Sequence, residues 1–472
     1  MKMALIRLRG TYSNWYRKPL LGVAYVSAAV NQSGHHCRIF DAYINSWSDR
    51  ELVTRVREYG PDVVGITALT HEINRADAMA LQIKHATKAV TVIGGCHVTA
   101  MPERTLAEFR SFDYGVFGEG EKTSVELLGF LEKGGDPHSI KGLAWRPREG
   151  GIRANQPRPP LTSEELTALP FPDVEACYGN NSRALSAPDA AYPIFTTRGC
   201  PNQCSFCMRV LGSKVRRRSV ESIIAEIERA IDRWGAHAVT FCDEIFLFDC
   251  AQTREVLHAM IEKGISKRIK WSGHTRANLV NPGIIALAKK AGCGLLTLGV
   301  ESGNDEILKR VKKGITVQQV KDAVSTIHEA GIAVVADYIL GHPGETRQTA
   351  RQTVDLAIGL NTFRISVGIM VPYPGTEIYA MALHGEGGYR LLTHDWSHYD
   401  KYAEQSMEFE GVPFQELLRL QRRAMLGLFL KNHRWRDGIR FIWQKRNAVY
   451  YLMKRCLSIH GETAPPPACD QA

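Results

Sequence analysis

Three cysteines lie close together in one short segment of the chain. Cys200, Cys204 and Cys207 are spaced by four and three residues and follow an apolar run at residues 192–197. A loop can turn three thiolates towards one point, whereas a strand would send alternate side chains to opposite faces. Clustered thiolates suit zinc or iron–sulfur chemistry. Zinc would need a fourth ligand, and the nearest later cysteine, Cys242, lies inside an apolar run. Three ligands on a cluster of four irons would leave one iron open to a substrate.

The spacing CxxxCxxC, with Phe206 before the last cysteine, resembles the cluster loop of the radical S-adenosylmethionine (SAM) enzymes. In that family the three cysteines hold a 4Fe-4S cluster, and the open iron chelates SAM through its amino and carboxylate groups. An electron then cleaves SAM to a 5′-deoxyadenosyl radical. The resemblance implies that Cys200, Cys204 and Cys207 bind the cluster and that Phe206 packs beside the adenine. The alternatives for the cysteines are a zinc knuckle or three core cysteines. The alternative for Phe206 is a hydrophobic plug beside the cluster, which is compatible with the adenine contact.

Length and composition are those of an ordinary globular protein of two or three domains. The 472 residues are 44% hydrophobic and 23% charged, and no run of eighteen apolar residues predicts a membrane span. The N-terminus reads as a strand rather than a signal peptide, so we expect a cytoplasmic protein with reduced thiols. The net charge of +10 comes mainly from residues 413–456, where eleven Lys and Arg face two acidic residues. We therefore expect no nucleic-acid partner.

Short apolar runs alternate with amphipathic stretches over residues 1–135. Five strands alternating with helices predict a Rossmann-like domain with a parallel, doubly wound sheet. Ligands of such sheets lie at the carboxyl ends of the strands, where glycines let the backbone approach. Three loops qualify, at residues 67–71, 94–99 and 118–121. None has a GxGxxG fingerprint, so a dinucleotide is not the first expectation, and each loop alone is compatible with an ordinary turn.

In this order the three loops resemble the cobalamin-binding domain that precedes the radical domain in class B radical SAM proteins. The resemblance implies cobalamin contacts from the following residues: Thr67, Leu69, Thr70, Gly94, Gly95, His97, Gly118, Glu119 and Gly120. The DxHxxG motif that supplies a histidine to cobalt in other cobalamin proteins is missing after the first strand, where residues 10–16 read GTYSNWY. In the radical subfamily this loss is associated with cobalamin bound without histidine on cobalt, and no histidine is predicted as a ligand here. The alternative is an empty, degenerate domain.

Strand–helix alternation returns after a linker. Residues 136–188 are rich in proline and lack periodicity, with an added strand expected at residues 143–145. Residues 189–380 then contain six strand–helix rounds. Six rounds fall short of a closed eight-fold barrel, so they predict the open (β/α)6 partial barrel of the radical SAM family. Chemistry should occupy the carboxyl ends of its strands.

Polar groups follow three of these predicted strands. The resemblance implies that Asp243 and Glu244 accept hydrogen bonds from the SAM amine. Arg276 would hold the SAM carboxylate as a bidentate partner. Glu301 would bind a ribose hydroxyl, with Ser302 in the same turn. The alternative for Arg276 and Glu301 is a mutual salt bridge on the barrel rim.

Residues 381–472 predict a helical, basic C-terminal region. Helical periodicity is clear over residues 414–430, and aromatic residues alternate with Lys and Arg from residue 435 onwards. This interleaving is typical of a helix on an anionic membrane surface or on a partner. The alternative is a helix pair that closes the open side of the barrel and keeps a solvated basic face.

The whole layout resembles the cobalamin-dependent radical SAM methyltransferases. The resemblance implies methyl transfer to an unactivated carbon, or to phosphinate phosphorus, of a small-molecule or lipid-like metabolite. One SAM would methylate reduced cobalamin, a second would yield the radical, and flavodoxin or ferredoxin would donate electrons. The layout also resembles the anaerobic magnesium-protoporphyrin oxidative cyclase, so cyclisation or ring rearrangement is the alternative reaction.

Two other classes are compatible with parts of the pattern. The first is a cobalamin-binding regulator with a relict barrel, although every strand-end motif of an enzyme is present. The second is a tRNA methylthiotransferase, which brings a second cysteine triad in its first domain. Here the only early cysteines are Cys37, Cys96 and Cys177, which are too dispersed for that role.

Overall fold

A computed structural model describes residues 1–9, 18–179, 182–187, 190–402 and 404–444. These residues form two mainly parallel sheets flanked by helices, followed by a C-terminal extension. The segment in which the DxHxxG motif is missing, residues 10–16, lies outside the described residues.

The first sheet has seven strands. They are β1 (Lys2–Arg7), β2 (His36–Asp41), β3 (Val63–Thr67), β4 (Val90–Gly94), β5 (Tyr114–Val116), β6 (Leu143–Trp145) and β7 (Arg153–Ala154). Their order in the sheet is β2-β1-β3-β4-β5-β6-β7. The first five strands are mutually parallel, as predicted, and β6 and β7 are antiparallel additions.

Eight helices precede the second sheet in the described part of the chain. They are α1 (Leu21–Gln32), α2 (Ala42–Asn45), α3 (Asp49–Tyr59), α4 (Ile73–Thr87), α5 (Cys96–Ala100), α6 (Pro102–Glu108), α7 (Gly120–Lys133) and α8 (Ser163–Ala168). Local sequence explains their ends: α3 begins at a capping box of Ser48 and Glu51 and ends at Gly60, whose φ of 63° is left-handed. Helices on both faces bury the sheet, which is why its central strands β1, β3 and β4 are mostly continuous apolar runs rather than alternating ones.

The stretch predicted as an irregular linker is partly ordered into the first sheet. The strand expected at residues 143–145 is β6, and the sheet continues to Ala154, past residue 135 where the first domain was predicted to end. Strands of three and two residues are too short to carry a periodic signal.

The rest of this linking segment contacts both domains. Asp173 accepts a hydrogen bond from the Ser27 hydroxyl of α1 at 2.7 Å. Two residues later, Glu175 accepts one from the indole nitrogen of Trp234 at 2.5 Å, at the end of the first long helix after the linker. Residues 155–179 therefore hold the two domains against each other.

The second sheet is an open, six-stranded parallel sheet. The strands of this region are β8 (Tyr192–Ile194), β9 (Thr197–Arg198), β10 (Arg216–Arg217), β11 (Ala238–Phe241), β12 (Lys270–Thr275), β13 (Cys293–Glu301), β14 (Ala333–Leu340) and β15 (Arg364–Ile369). The sheet order is β15-β14-β13-β12-β11-β8, and β9 and β10 pair separately as a short antiparallel ribbon. All pairs within the six-stranded sheet are parallel, so the predicted open (β/α)6 barrel is confirmed.

The helices that surround this barrel follow its strands. They are α9 (Val220–Trp234), α10 (Ala251–Glu262), α11 (Ile265–Arg268), α12 (Pro282–Lys290), α13 (Asp305–Arg310), α14 (Val317–Glu329), α15 (Arg347–Gly359) and α16 (Glu377–His384). In α9 the hydroxyl of Ser219 accepts a hydrogen bond from the Ser222 amide at 3.2 Å and caps the N-terminus. Its isoleucine stripe, which includes Ile223 and Ile227, is buried on the sheet.

The C-terminal extension is a small hairpin followed by two helices. Its elements are β16 (Tyr389–Leu391), β17 (Met407–Phe409), α17 (Phe414–Leu430) and α18 (Trp435–Gln444). The side chain of Gln421 in α17 donates a hydrogen bond to the Val367 carbonyl of β15 at 2.8 Å. The helix therefore packs against the last strand of the barrel.

Short 3-10 helices occupy several connections: Thr70–Glu72, Pro137–Ser139, Glu175–Tyr178, Ser182–Ser186, Ala277–Leu279 and Trp396–His398. No helix in the described ranges is both long and apolar enough to cross a membrane. The aromatic and basic residues beyond residue 444 lie outside those ranges.

Candidate functional site

The three clustered cysteines lie in a loop whose ends are held together. The loop leaves β9 and returns at β10, and these two strands pair through Arg198 and Arg216. Gly199 has a φ of 100°, and a Cβ at this position would lie 2.2 Å from the Lys214 carbonyl oxygen. Only glycine fits this neck. The Cys200 amide also donates to the Gly212 carbonyl at 3.1 Å, so the loop is closed at its base.

The thiols share one environment within this loop. Cys200 and Cys204 are half-buried and Cys207 is exposed, and none of them forms a disulfide. Partial desolvation of the sulfur inside the loop, followed by the charges of Cys204 and Cys200, raises the pKa of Cys207 to about 11. Among the described residues, no three His, Cys, Asp or Glu side chains converge closely enough to hold a single metal ion. A 4Fe-4S cluster binds each thiolate through a different iron, so its ligands stand further apart than those of one ion.

A buried guanidinium lies beside this loop. Arg276 follows β12 and is only 7% exposed. Its Nη1 lies 3.9 Å from the Cys204 sulfur, and its Nη2 donates to the Lys313 carbonyl. Its Nε has no hydrogen-bond partner within the described chain. An unpartnered donor on a buried cation is costly, and it marks a place suited to an anionic ligand.

Glu301 lies at the carboxyl end of the neighbouring strand, β13, in a strained conformation. Its φ is 69°, in the left-handed region, and the register between β13 and β14 shifts between Gly299 and Glu301. Its carboxylate pairs with Lys313 at 2.7 Å, so the alternative of an Arg276–Glu301 salt bridge is wrong. Left-handed backbone in a non-glycine residue costs about 1–3 kcal/mol and is concentrated at functional sites.

Phe206 connects the cysteine loop to these strand ends. Its ring lies 6.1 Å from the ring of His342, and the Lys313 ammonium lies 6.0 Å from its centroid. The loop is anchored beside it, because the Ser205 amide donates to the Val311 carbonyl at 3.1 Å. Phe206 and Arg276 are thereby brought to one site with Glu301 and the thiols.

Other residues predicted for the SAM site have different roles. Asp243 is fully buried, and its carboxylate accepts hydrogen bonds from the Thr196 amide at 2.7 Å, the Thr197 amide at 3.0 Å and the Thr196 hydroxyl. Asp243 therefore fixes the turn before the cysteine loop rather than facing a ligand. Ser302 is fully buried, and its hydroxyl lies 3.2 Å from that of Thr353 in α15. Glu244 is exposed at the rim beside the Gly199 amide and remains available to a ligand.

The three loops at the edge of the first sheet lie side by side. The Ala68 amide donates to the Gly94 carbonyl at 3.1 Å, and the Gly118 amide donates to the Thr99 hydroxyl at 3.1 Å. No heavy atom lies within 4 Å of the place that a Cβ of Gly118 would take, and Leu69 is 49% exposed. Together the three loops form an open, partly apolar surface.

Four further residues of these loops shape the backbone. Gly95 has a φ of 102°, and a Cβ there would lie 2.7 Å from the Ala68 carbonyl oxygen. Thr67 ends β3 and is half-buried, and Thr70 is buried at the start of a 3-10 turn. Gly120 begins α7, where a Cβ would lie 3.3 Å from Val26.

His97 is a packing residue, and its predicted cofactor contact is not supported. Its side chain is fully buried, with its ring centroid 4.9 Å from that of Trp396 in the C-terminal extension. Neither ring nitrogen has a hydrogen-bond partner in the described residues. Burial lowers the pKa of His97 to about 4, so the ring is neutral and apolar in effect.

Glu119 also differs from its prediction, because its carboxylate joins the two domains. It pairs with Arg216 at 2.8 Å and with Arg198 at 3.2 Å, and it accepts the Leu161 amide at 2.6 Å. Glu121, in the same loop, pairs with Arg198 at 2.6 Å. All four charged side chains are at most 10% exposed. This four-residue set, which we call the inter-domain ion network, binds the third loop of the first sheet to the base of the cysteine loop.

Known protein families match both halves of this arrangement. Residues 194–357 match the Radical SAM superfamily, and residues 17–128 match the B12 binding domain. An uncharacterised methyltransferase of Pyrococcus horikoshii is 30% identical over 88% of both chains. The chain belongs to the radical SAM superfamily. Another relative of this radical SAM protein, the anaerobic magnesium-protoporphyrin IX monomethyl ester cyclase of Rubrivivax gelatinosus, is 28% identical over 78% of this chain and 66% of its own.

The fold agrees with that of a solved member. The radical SAM methyltransferase TsrM from Kitasatospora setae, with cobalamin and a [4Fe-4S] cluster bound, superposes with a TM-score of 0.71 over 90% of both chains, at 18% identity. The present protein is a radical SAM enzyme with a cobalamin-binding domain, and its cofactors are a 4Fe-4S cluster, SAM and cobalamin. The predicted family, fold and cofactors are confirmed.

The residues present fit these cofactors. Three free thiols in one closed loop, with an unpartnered guanidinium nitrogen beside one of them, suit a thiolate-bound cluster and a co-substrate carboxylate. The open glycine at residue 118 and the exposed Leu69 suit the face of a large planar ring. Sequence reasoning missed Lys313, Arg198 and Arg216. Arg198 and Lys313 each precede a glycine, but a basic residue in that position does not reveal a buried partner, and Arg216 lies beside no glycine or cysteine.

Gly95→Ala should destabilise the first domain. The new Cβ would collide with the Ala68 carbonyl oxygen at a left-handed φ, so we expect a loss of about 1–3 kcal/mol in the free energy of unfolding. The matched control is Gly94→Ala, whose Cβ meets no atom closer than 4.0 Å and should change stability by less than about 0.5 kcal/mol. Chemical denaturation of both variants measures the difference, and equal stabilities would contradict the packing described.

Glu121→Gln should weaken the contact between the domains. Removing one partner leaves Arg198 buried with reduced compensation, which costs about 3 kcal/mol of unfolding free energy. The control is Lys122→Met, which breaks the exposed Lys122–Glu165 pair at the same interface and should cost less than about 1 kcal/mol. Thermal and denaturant unfolding compare the two variants. A loss for Lys122→Met as large as that for Glu121→Gln would argue against a special role for the inter-domain ion network.

Proposed function

We propose that this protein is a cobalamin-dependent methyltransferase that acts on an unactivated carbon, or on phosphinate phosphorus, of a small-molecule or lipid-like metabolite. The observation that carries the proposal is the inter-domain ion network. The third loop of the first sheet exposes Gly118 on the surface where cobalamin would bind. The same loop places Glu119 and Glu121 in ion pairs at the base of the cysteine loop. Two cofactor sites joined in this way suit the transfer of a group between them. The methyltransferases among the similar proteins agree with it.

Residues of the barrel would hold the cluster and SAM. Cys200, Cys204 and Cys207 would ligate the cluster, which supplies the electron that cleaves SAM. Arg276 would bind the SAM carboxylate, because its Nε has no hydrogen-bond partner among the described residues and its side chain is buried next to Cys204.

The remaining SAM contacts follow from the same geometry. Glu301 would accept a hydrogen bond from a ribose hydroxyl, and its ion pair with Lys313 orients its carboxylate. Phe206 would pack against the adenine, and Glu244 at the rim would accept the amine. Asp243 and Ser302 act behind them by fixing the backbone of the turns.

The first domain would hold cobalamin at its loop surface, where cobalamin supplies the methyl group. Leu69, Gly94 and Gly118 would lie against the ring, and Thr67, Thr70, Gly95 and Gly120 give the loops their shape. His97 cannot reach a cobalt, because its ring is sealed against Trp396. The proposed binding therefore uses no histidine from this position.

We infer partners and location from the same features. Cys207 is the exposed member of the triad, which gives an electron donor such as flavodoxin or ferredoxin a short route to the cluster. A thiolate-bound cluster and nine described cysteines without a disulfide suit the reducing cytoplasm. The C-terminal region would contact a membrane peripherally.

Oxidative cyclisation is the second candidate reaction, because the Rubrivivax cyclase matches most of this chain. The two reactions differ in their products. The protein reconstituted anaerobically with cluster, cobalamin and SAM should convert a component of extracts of the source organism into a product heavier by one methylene unit. Mass spectrometry detects this gain. SAM consumption with a product that lacks it would favour cyclisation.

Cys204→Ala should abolish SAM cleavage and leave cobalamin binding intact. The variant lacks one of the three proposed cluster ligands, while the first domain is unchanged. Iron content reports the cluster, 5′-deoxyadenosine formation reports SAM cleavage, and the absorbance of bound cobalamin reports cobalamin binding. The matched control is Cys250→Ala, a half-buried cysteine at the start of α10, which should retain all three. Continued deoxyadenosine formation by Cys204→Ala would refute the ligand assignment.

A further inference from the structure

Exposed apolar side chains are concentrated at the C-terminal end of the described chain. Leu426 is 53% exposed, Leu430 47%, Trp435 56% and Ile439 69%. These are four of the ten large apolar residues exposed in the described part of the chain, and they fall within residues 426–439. Single exposed apolar residues are normal, whereas a concentration of them marks an interaction surface. We call these four residues the C-terminal apolar patch.

Helical spacing puts the members of the patch on two exposed helix faces. Leu426 and Leu430 are four residues apart on α17, and Trp435 and Ile439 are four apart on α18. Residues at this spacing lie above one another on a helix. The two helices meet where Gly438 packs against Phe429, since a Cβ on Gly438 would lie 3.1 Å from that side chain.

The second helix is fixed to the barrel as well as to α17. Arg434, just before α18, donates to the Thr362 carbonyl at 2.7 Å and to the Phe363 carbonyl at 3.0 Å. The patch is therefore presented by anchored helices rather than by a loop.

Positive charge surrounds the patch. Arg422, Lys431, Arg436 and Arg440 are exposed and form no ion pair within the described residues. The nearby acidic residue Asp437 is already paired with Arg434 at 2.9 Å. A helix face that combines Trp, Leu and Ile with unpaired Arg and Lys is the composition that binds the interface of anionic bilayers.

We propose that the C-terminal apolar patch and its four basic neighbours dock the protein on an anionic membrane surface. The apolar side chains would enter the boundary between headgroups and acyl chains, and the guanidinium and ammonium groups would contact lipid phosphates. The inference rests on the peripheral membrane contact included in the proposed function, but not on methyl transfer. Vesicle binding and SAM cleavage are separate measurements, so either can fail without the other.

The test is cosedimentation of the full-length protein with vesicles. Vesicles of phosphatidylcholine with phosphatidylglycerol should bind the protein at least tenfold more tightly than phosphatidylcholine alone, and added salt should weaken binding. Arg436→Gln with Arg440→Gln should weaken binding to anionic vesicles by about twenty-five-fold, because each charge near the surface contributes about fivefold. Trp435→Ser with Ile439→Ser should weaken it by about tenfold or more.

Control variants separate this surface from general effects. Leu81→Ser with Leu383→Ser removes two exposed apolar residues elsewhere, on α4 and α16, and should leave vesicle binding unchanged. Deoxyadenosine formation in solution should be unchanged in the patch variants, which shows that they fold. Equal binding to both kinds of vesicle, or unchanged binding by both patch variants, would overturn the proposal. A further outcome would also overturn the proposal: the protein binds no vesicles but forms a dimer that Trp435→Ser with Ile439→Ser dissociates. The patch would then be a contact between two copies of the protein.

Discussion

The inter-domain ion network is the constraint on which the rest of the site depends. Four charged side chains are nearly dry, and such charges are tolerated only when they are paired and hydrogen-bonded. Arg198 is one residue from the neck of the cysteine loop, and Glu119 is one residue from the open glycine of the cobalamin-type surface. The position of one cofactor loop is therefore set by the other. This pairing fixes the two loops relative to each other.

Much of the fold could be predicted from the sequence, because its signals are local. Parallel strands buried on both faces are continuous apolar runs, and their alternation with helices gave the five strands of the first domain and the six of the barrel. The cysteine spacing and the glycine-rich loops could be recognised for the same reason, because the chemistry of a loop depends on a few neighbouring residues. The short strands β6 and β7 were less legible, and only β6 was expected.

The destinations of individual side chains could not be predicted in the same way. The sequence shows that a turn after a strand contains a carboxylate, but it does not show which residue that carboxylate pairs with. Glu119 pairs with Arg198, 79 residues later in the chain, and Asp243 accepts a hydrogen bond from the Thr196 amide, 47 residues earlier. His97 shows the same limit, because its aromatic partner Trp396 belongs to the C-terminal extension. Burial in a three-dimensional neighbourhood, rather than residue type, decided which of these side chains face a ligand.

The linking segment has a consequence for engineering. Asp173 accepts a hydrogen bond from α1 of the first domain, and Glu175 accepts one from the end of α9 in the barrel. Residues 155–179 therefore pack against both domains. A chimaera that transplanted the N-terminal module at a boundary near residue 135 would cut β6 and β7 from their own sheet and leave an unpaired edge on β5. Domain exchange among such enzymes should therefore place the junction after residue 179. The recipient barrel should also carry arginines at the positions of Arg198 and Arg216.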